Sequence, residues 1–151
     1  MQLRRALYYL YRCSHCPQDI VVLGQGGVEE GNYSVPDELT ALYGIDHART
    51  LAIVCPAMMR QQRARKAAKI LQYGERVWGI GDGSDEQRIE ATIARTEEFF
   101  QSLGVGTRLN DYDATEGIER VGQRLAERGE SLGEHGDLTQ EDVDAILALG
   151  A

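Results

Sequence analysis

The sequence predicts an all-α protein, a helical bundle over residues 35–151 behind a short irregular segment, residues 1–34. Three observations point there. Apolar residues recur at steps of three and four in several separate runs, the spacing that gathers side chains on one helix face. Capping residues open these runs and glycines close them. β-like character shows in one short run, residues 20–23, inside a patchwork of Cys and Gly, "CSHCPQDIVVLGQGGVEEGN".

Taken in order, Asp37 can cap a short first helix that carries Leu39 and Leu42 and ends at Gly44. A second helix begins around Asp46 and His47, carries Leu51, Ile53 and Val54, and is expected to stop at Pro56, which lacks the N–H a helix interior needs. A long third helix then presents Ala67, Ile70, Leu71, Gly74, Val77 and Trp78 as one continuous stripe, until "GIGDG" ends it. Ser84 and Gln87 have the spacing of a capping box. The helix after them sets Ile89, Ile93, Phe100 and Leu103 on one face, with Gly104 at its C-terminal cap. A shorter amphipathic helix uses Ile118, Val121 and Leu125 and closes at Gly129. In the last one, Thr139 is the N-cap, Asp142 its reciprocal partner, and Val143, Ile146 and Leu147 the buried face.

The chain has 151 residues, enough for one domain with a real core. Hydrophobic residues make up 42% and charged ones 26%, ordinary globular usage. A net charge of −8 argues against a nucleic-acid binder, because phosphate contact needs a basic field. The charge is uneven: residues 110–151 hold eleven acidic residues against three arginines, while residues 60–69 hold five basic residues and no acidic one. Both read as solvated helix faces. No run approaches the roughly 20 apolar residues of a membrane span. The opening "MQLRRALYYLYRCSHCP" is too short in its apolar part and too rich in tyrosine for a signal peptide. Three cysteines, an odd number, disfavour a secreted disulfide framework and favour a cytoplasmic protein with reduced thiols.

Few residues are candidates for chemistry. Cys13 and Cys16 flank His15 with zinc-knuckle spacing, but a structural zinc needs four ligands. Only Cys55, His47 and His135 could add to the pair, so free cysteines are the better reading. "GQGGVEEG" lacks both G-x-G-x-x-G spacing and a following Lys-Ser/Thr, and reads as a flexible turn. His135 sits in a glycine-rich loop. His47 opens a helix beside Asp46, after Gly44. Spacing alone assembles no catalytic triad.

Three blocks add a resemblance. "DELTALYGIDHARTLAIVCPAMM", "AKILQYGERVWGIGDGSDEQRIEATIARTEEFFQSLGVGTRL" and "LTQEDVDAIL" together closely resemble the C-terminal helical domain of iron-containing (group III) alcohol dehydrogenases. The branch they are most similar to holds butanol dehydrogenases and NADPH-dependent aldehyde reductases. The resemblance implies a two-domain oxidoreductase. A Rossmann-like domain binds NAD(P), and an all-helical domain supplies much of an iron or zinc site that polarises an aldehyde carbonyl or an alkoxide. It also implies one metal ligand here. "GIDHA" matches the family's Gly-x-x-His turn, so His47 is carried over as a ligand.

Departures accompany the match. Fourteen residues before His47, where the family has its other helical-domain histidine, stands Tyr33. Four residues later, where the family often has a histidine facing the cofactor, stands Asp37. A phenol is a poor ligand near neutral pH. The upstream Asp-x-x-x-His pair and the cofactor domain have no counterpart here, and residues 1–34 look diverged or unrelated. Three readings follow. The chain is a partial dehydrogenase that is inactive alone and holds neither metal nor NAD(P) stably. Alternatively, it is half of a split enzyme completed by a separate Rossmann-domain chain, or it is a non-catalytic helical interaction domain. Tyr33 and Asp37 favour the first. Self-association is expected of a helical domain stripped of its neighbour.

Overall fold

The computed structural model describes residues 35–129, 132 and 138–151. Among these residues six α-helices follow one another: α1 (Val35–Tyr43), α2 (His47–Gln61), α3 (Ala67–Tyr73), α4 (Asp85–Ser102), α5 (Glu119–Glu127) and α6 (Gln140–Leu149). A π-helical turn, Gly74–Trp78, continues α3, and a 3-10 turn, Leu109–Tyr112, lies between α4 and α5. Among the described residues there is no strand, only an isolated antiparallel bridge between Leu132 and Leu138. The architecture is all-α, as the sequence predicts. No helix among these residues is long and apolar enough to cross a membrane.

The centre of the bundle is α2, which packs against α1, α4 and α6. Two apolar clusters form around it. One joins Leu39 of α1, Ile53 and Val54 of α2, Val121 and Leu125 of α5, and Val143 and Ile146 of α6. The other joins Met59 of α2, Ile70 and Tyr73 of α3, and Ile89 and Ile93 of α4. The helix α2 runs straight through Pro56, contrary to the expected stop. An interior proline costs a helix about 3 kcal/mol. Continuing the helix buries Ala57, Met58 and Met59 almost completely, and full burial of each methionine returns roughly 1.5–3 kcal/mol. Packing outweighs the proline.

The third stripe also differs from expectation. Regular α-helix lasts only through Tyr73, and the π turn that follows widens the backbone before Trp78. A methyl at Gly74 would lie 2.0 Å from the hydroxyl of Thr92, so the missing side chain lets this turn press directly onto α4. Trp78 then donates its indole N–H to Thr96 and packs against Tyr73 and Phe99.

Local signals were more faithful. Ser84 and Gln87 form a reciprocal capping box at α4, and Thr139 and Asp142 form another at α6. Gly104 and Gly129, both left-handed, follow α4 and α5. Asp37 is not the cap of α1, because the helix already begins at Val35 and Asp37 lies in its first turn. Leu103 is exposed rather than buried: α4 ends at Ser102, just before it.

Charged contacts tie the helices together. Arg60 of α2 makes a two-pronged pair with Glu97 of α4, at 2.7 and 2.6 Å. Glu38 of α1 is fully buried. Its two carboxylate oxygens accept from Arg124, at 2.6 Å, and from Arg128, both on α5 or at its end. Removing one partner of a buried pair is far costlier than the pair is worth. Glu38→Ala is expected to lower stability by about 3 kcal/mol, the low end for such losses because both guanidinium groups keep access to water. Urea unfolding of the two proteins measures the difference.

Asp142 gives a pH dependence. Its carboxyl is held below the usual aspartate range, chiefly by the backbone N–H of Thr139 and further by the side chains of Gln61 and Thr139. A lowered folded value means that the unfolded chain takes up the proton first. The stabilisation is therefore complete above about pH 4 and is lost as pH falls through the lower folded value. Asp144 shifts upward through burial, the opposite sense. The test is thus the difference between parent and Asp142→Asn, whose melting temperatures should converge as acid is added.

Candidate functional site

The turn from α1 to α2 builds the neighbourhood of His47. Gly44 adopts a left-handed conformation, φ +67°, which a residue with a β-carbon rarely adopts, and its N–H closes α1 on the carbonyl of Thr40. Ile45 turns inward and is nearly buried. Asp46 precedes the helix, and His47 is its first residue. The buried Thr50 donates its hydroxyl to the carbonyl of His47 at 2.8 Å, fixing the first turn. Asp46 faces Arg49 at 3.5 Å, and Arg49 in turn lies over the ring of Tyr112.

The imidazole itself meets α1. Nδ1 of His47 lies 3.1 Å from Oδ1 of Asp37, and both side chains are about two-fifths exposed, at 43% and 39%. The structure thus brings together the carried-over ligand and one of the residues that depart from the family pattern. Sequence spacing alone had left them unrelated, ten positions apart on different helices. Nearby, the Tyr43 hydroxyl donates to the carbonyl of Glu116. Burial, with Glu119 adding to it, raises that phenol above its usual range.

The other candidates do not join this pair. Tyr33, Cys13, His15, Cys16 and His135 lie outside the described residues, as does the "GQGGVEEG" turn. Cys55 sits on α2 against the second apolar cluster, and burial pushes its thiol up to about 12. That is a packing cysteine and not a nucleophile. Among the described residues no three His, Cys, Asp or Glu side chains converge as a metal site would require.

A model of the Fe-containing alcohol dehydrogenase family, C-terminal, matches residues 31–149. The chain belongs to this family. The NADPH-dependent aldehyde reductase YqhD of Escherichia coli (strain K12) is 52% identical over 104 residues, 68% of this chain and 27% of that protein. A probable NADH-dependent butanol dehydrogenase 1 of Bacillus subtilis (strain 168) is 30% identical over 118 residues, 76% of this chain and 30% of that one. Among solved structures, the substrate and cofactor-free form of the E. coli aldehyde reductase superposes with a TM-score of 0.74 at 45% identity, covering 78% of this chain and 31% of that one. The NADH-dependent butanol dehydrogenase A of Thermotoga maritima gives 0.69 at 29% identity, with 78% and 31% covered. The chain spans under a third of the length of these relatives.

The family brings in a metal, and His47 suits one ligand position. It is partly exposed and has a carboxylate at Nδ1, as metal-binding imidazoles usually have. Catalytic zinc sites take about three protein ligands. The described residues offer His47 and Asp37, turned toward each other. They fit a ligand and do not fit a complete site.

Cys55 supplies a check on the packing of α2 against the second cluster. At pH 8, iodoacetamide should leave the Cys55 peptide unmodified in the folded protein and alkylate it in urea. Alkylation should be markedly slower in the folded protein, since only the thiolate reacts and burial disfavours it. Peptide mass mapping reads the difference.

Proposed function

We propose that this chain is the helical, metal-side part of an iron-containing NAD(P)-dependent alcohol dehydrogenase or aldehyde reductase, contributes His47 as one ligand, and is not catalytically competent alone. The observation that carries this reading is the His47–Asp37 pair, which presents one imidazole in the family's Gly-x-x-His turn without a third donor beside it among the described residues. The relatives named for aldehyde reduction and butanol oxidation are more than three times as long as the part matched here. Tyr33, at the place of the family's other helical-domain histidine, points the same way. We place residues 1–34 outside the helical domain and the protein in the cytoplasm, where its odd number of cysteines would stay reduced.

When bound, the metal supplies a Lewis acid for the carbonyl or alkoxide oxygen. What this chain contributes is a fixed turn: Gly44, Thr50 and the α1–α2 packing hold His47 in one place. A second reading, half of a two-chain enzyme, draws on that same preserved turn, because a separate nicotinamide-binding chain could use His47 where it stands.

Metal analysis of the purified chain should show less than one iron or zinc per molecule, and the chain should neither oxidise butanol nor reduce butanal with NADH or NADPH. One tightly held ion per chain, or turnover that disappears in His47→Ala, would overturn the reading. Turnover that arises only on adding a separately expressed Rossmann-fold domain of a relative, and that needs His47, selects the two-chain form.

A further inference from the structure

We propose that Asp37 is the positioning residue for His47, holding its imidazole as the Nδ1–H tautomer and leaving Nε2 as the nitrogen offered to a ligand. The inference deepens the reading of His47 as a ligand, but it concerns the protein without metal. A neutral imidazole has one N–H and one lone pair, and the partner of one nitrogen decides which nitrogen carries the proton. An ionised carboxylate can only accept. With Oδ1 of Asp37 in ion-pair contact at 3.1 Å, the carboxylate's negative charge favours a hydrogen on Nδ1, and the lone pair then falls to Nε2.

The surrounding groups leave this role to Asp37. The other carboxylate beside His47, that of Asp46, faces Arg49. The Thr50 hydroxyl is directed to the backbone carbonyl of His47 and not to its ring. Asp37 is also held where it stands. It lies in the first turn of α1, where a carboxylate is favoured by the positive end of the helix dipole. Its neighbours Val35, Glu38 and Leu39 are all fully buried, and Glu38 is clamped to Arg124 and Arg128. An aspartate fixed in this way can orient a ring even though both side chains are partly open to water.

The experiment needs only the metal-free full chain. Long-range proton–nitrogen correlation spectra of 15N-labelled protein, taken in mildly alkaline buffer where imidazoles are neutral, distinguish the two tautomers at each histidine. His47→Gln identifies the His47 signals, and His15 and His135 serve as internal references. The expected result is an Nδ1–H pattern at His47 that changes to Nε2–H in Asp37→Ala. Circular dichroism confirms that the variants remain folded. An Nε2–H pattern at His47 in the parent protein, or an unchanged Nδ1–H pattern in Asp37→Ala, would overturn the proposal. Neither outcome depends on metal content or turnover, so this inference can fail while the functional reading stands, and the reverse.

Discussion

One carboxylate without access to water, that of Glu38, fixes the geometry on which the candidate site depends. Burying a charge is unfavourable unless it is paired and hydrogen-bonded, and here each oxygen has its own guanidinium. Arg124 of α5 and Arg128 at its C-terminal cap are four residues apart, so one helix and its end present both. The contact is directional in a way that apolar packing is not. Leu39 and Val35 could slide or rotate and still be buried, whereas Glu38 satisfies both arginines in one orientation of α1 only. That orientation puts the preceding residue, Asp37, opposite His47. The clamp on the buried side and the imidazole pair on the exposed side are two consequences of one helix placement.

The same division between local and distant causes decides how much of the fold was legible. Helix starts at Ser84 and Thr139 and helix ends at Gly104 and Gly129 were read correctly, because a cap is settled by residues three or four apart. Pro56 and the π turn were misread because their outcome lies with other helices. Pro56 stays inside α2 since Met58, packed with α1, α5 and α6, and Met59, packed with α3 and α4, together gain more than the proline costs. The turn at Gly74 leaves regular helix where it presses on Thr92, eighteen positions away. No window along the chain contains that information.

The site follows the same rule. The family was legible in sequence blocks that include Gly44 to His47, and the match over residues 31–149 bears the family out. The partnership of His47 with Asp37 was not, since ten residues and a left-handed turn separate them. Asp37 instead looked like a helix cap and like a departure from the family pattern. A departure in sequence is only half of the matter. In three dimensions the substituted carboxylate meets the surviving histidine and gives it a new partner.

Among the described residues the bundle is held by apolar packing and by ion pairs between helices. The core is built from Leu39, Ile53, Val121, Leu125 and Ile146 in one cluster and from Met59, Ile70, Ile89 and Ile93 in the other. The polar ties between helices, Glu38 with Arg124 and Arg128 and Arg60 with Glu97, all lie among side chains that carry no ligand role. A zinc finger cannot lose a ligand and stay folded, since its binding energy is its folding energy. Here the two are separate. Asp37 sits in the first turn of α1 while its neighbours Val35, Glu38 and Leu39 stay fully buried. Fold and chemistry can then part company within one family, which is why membership establishes the bundle, and only the ligand set can decide the reaction.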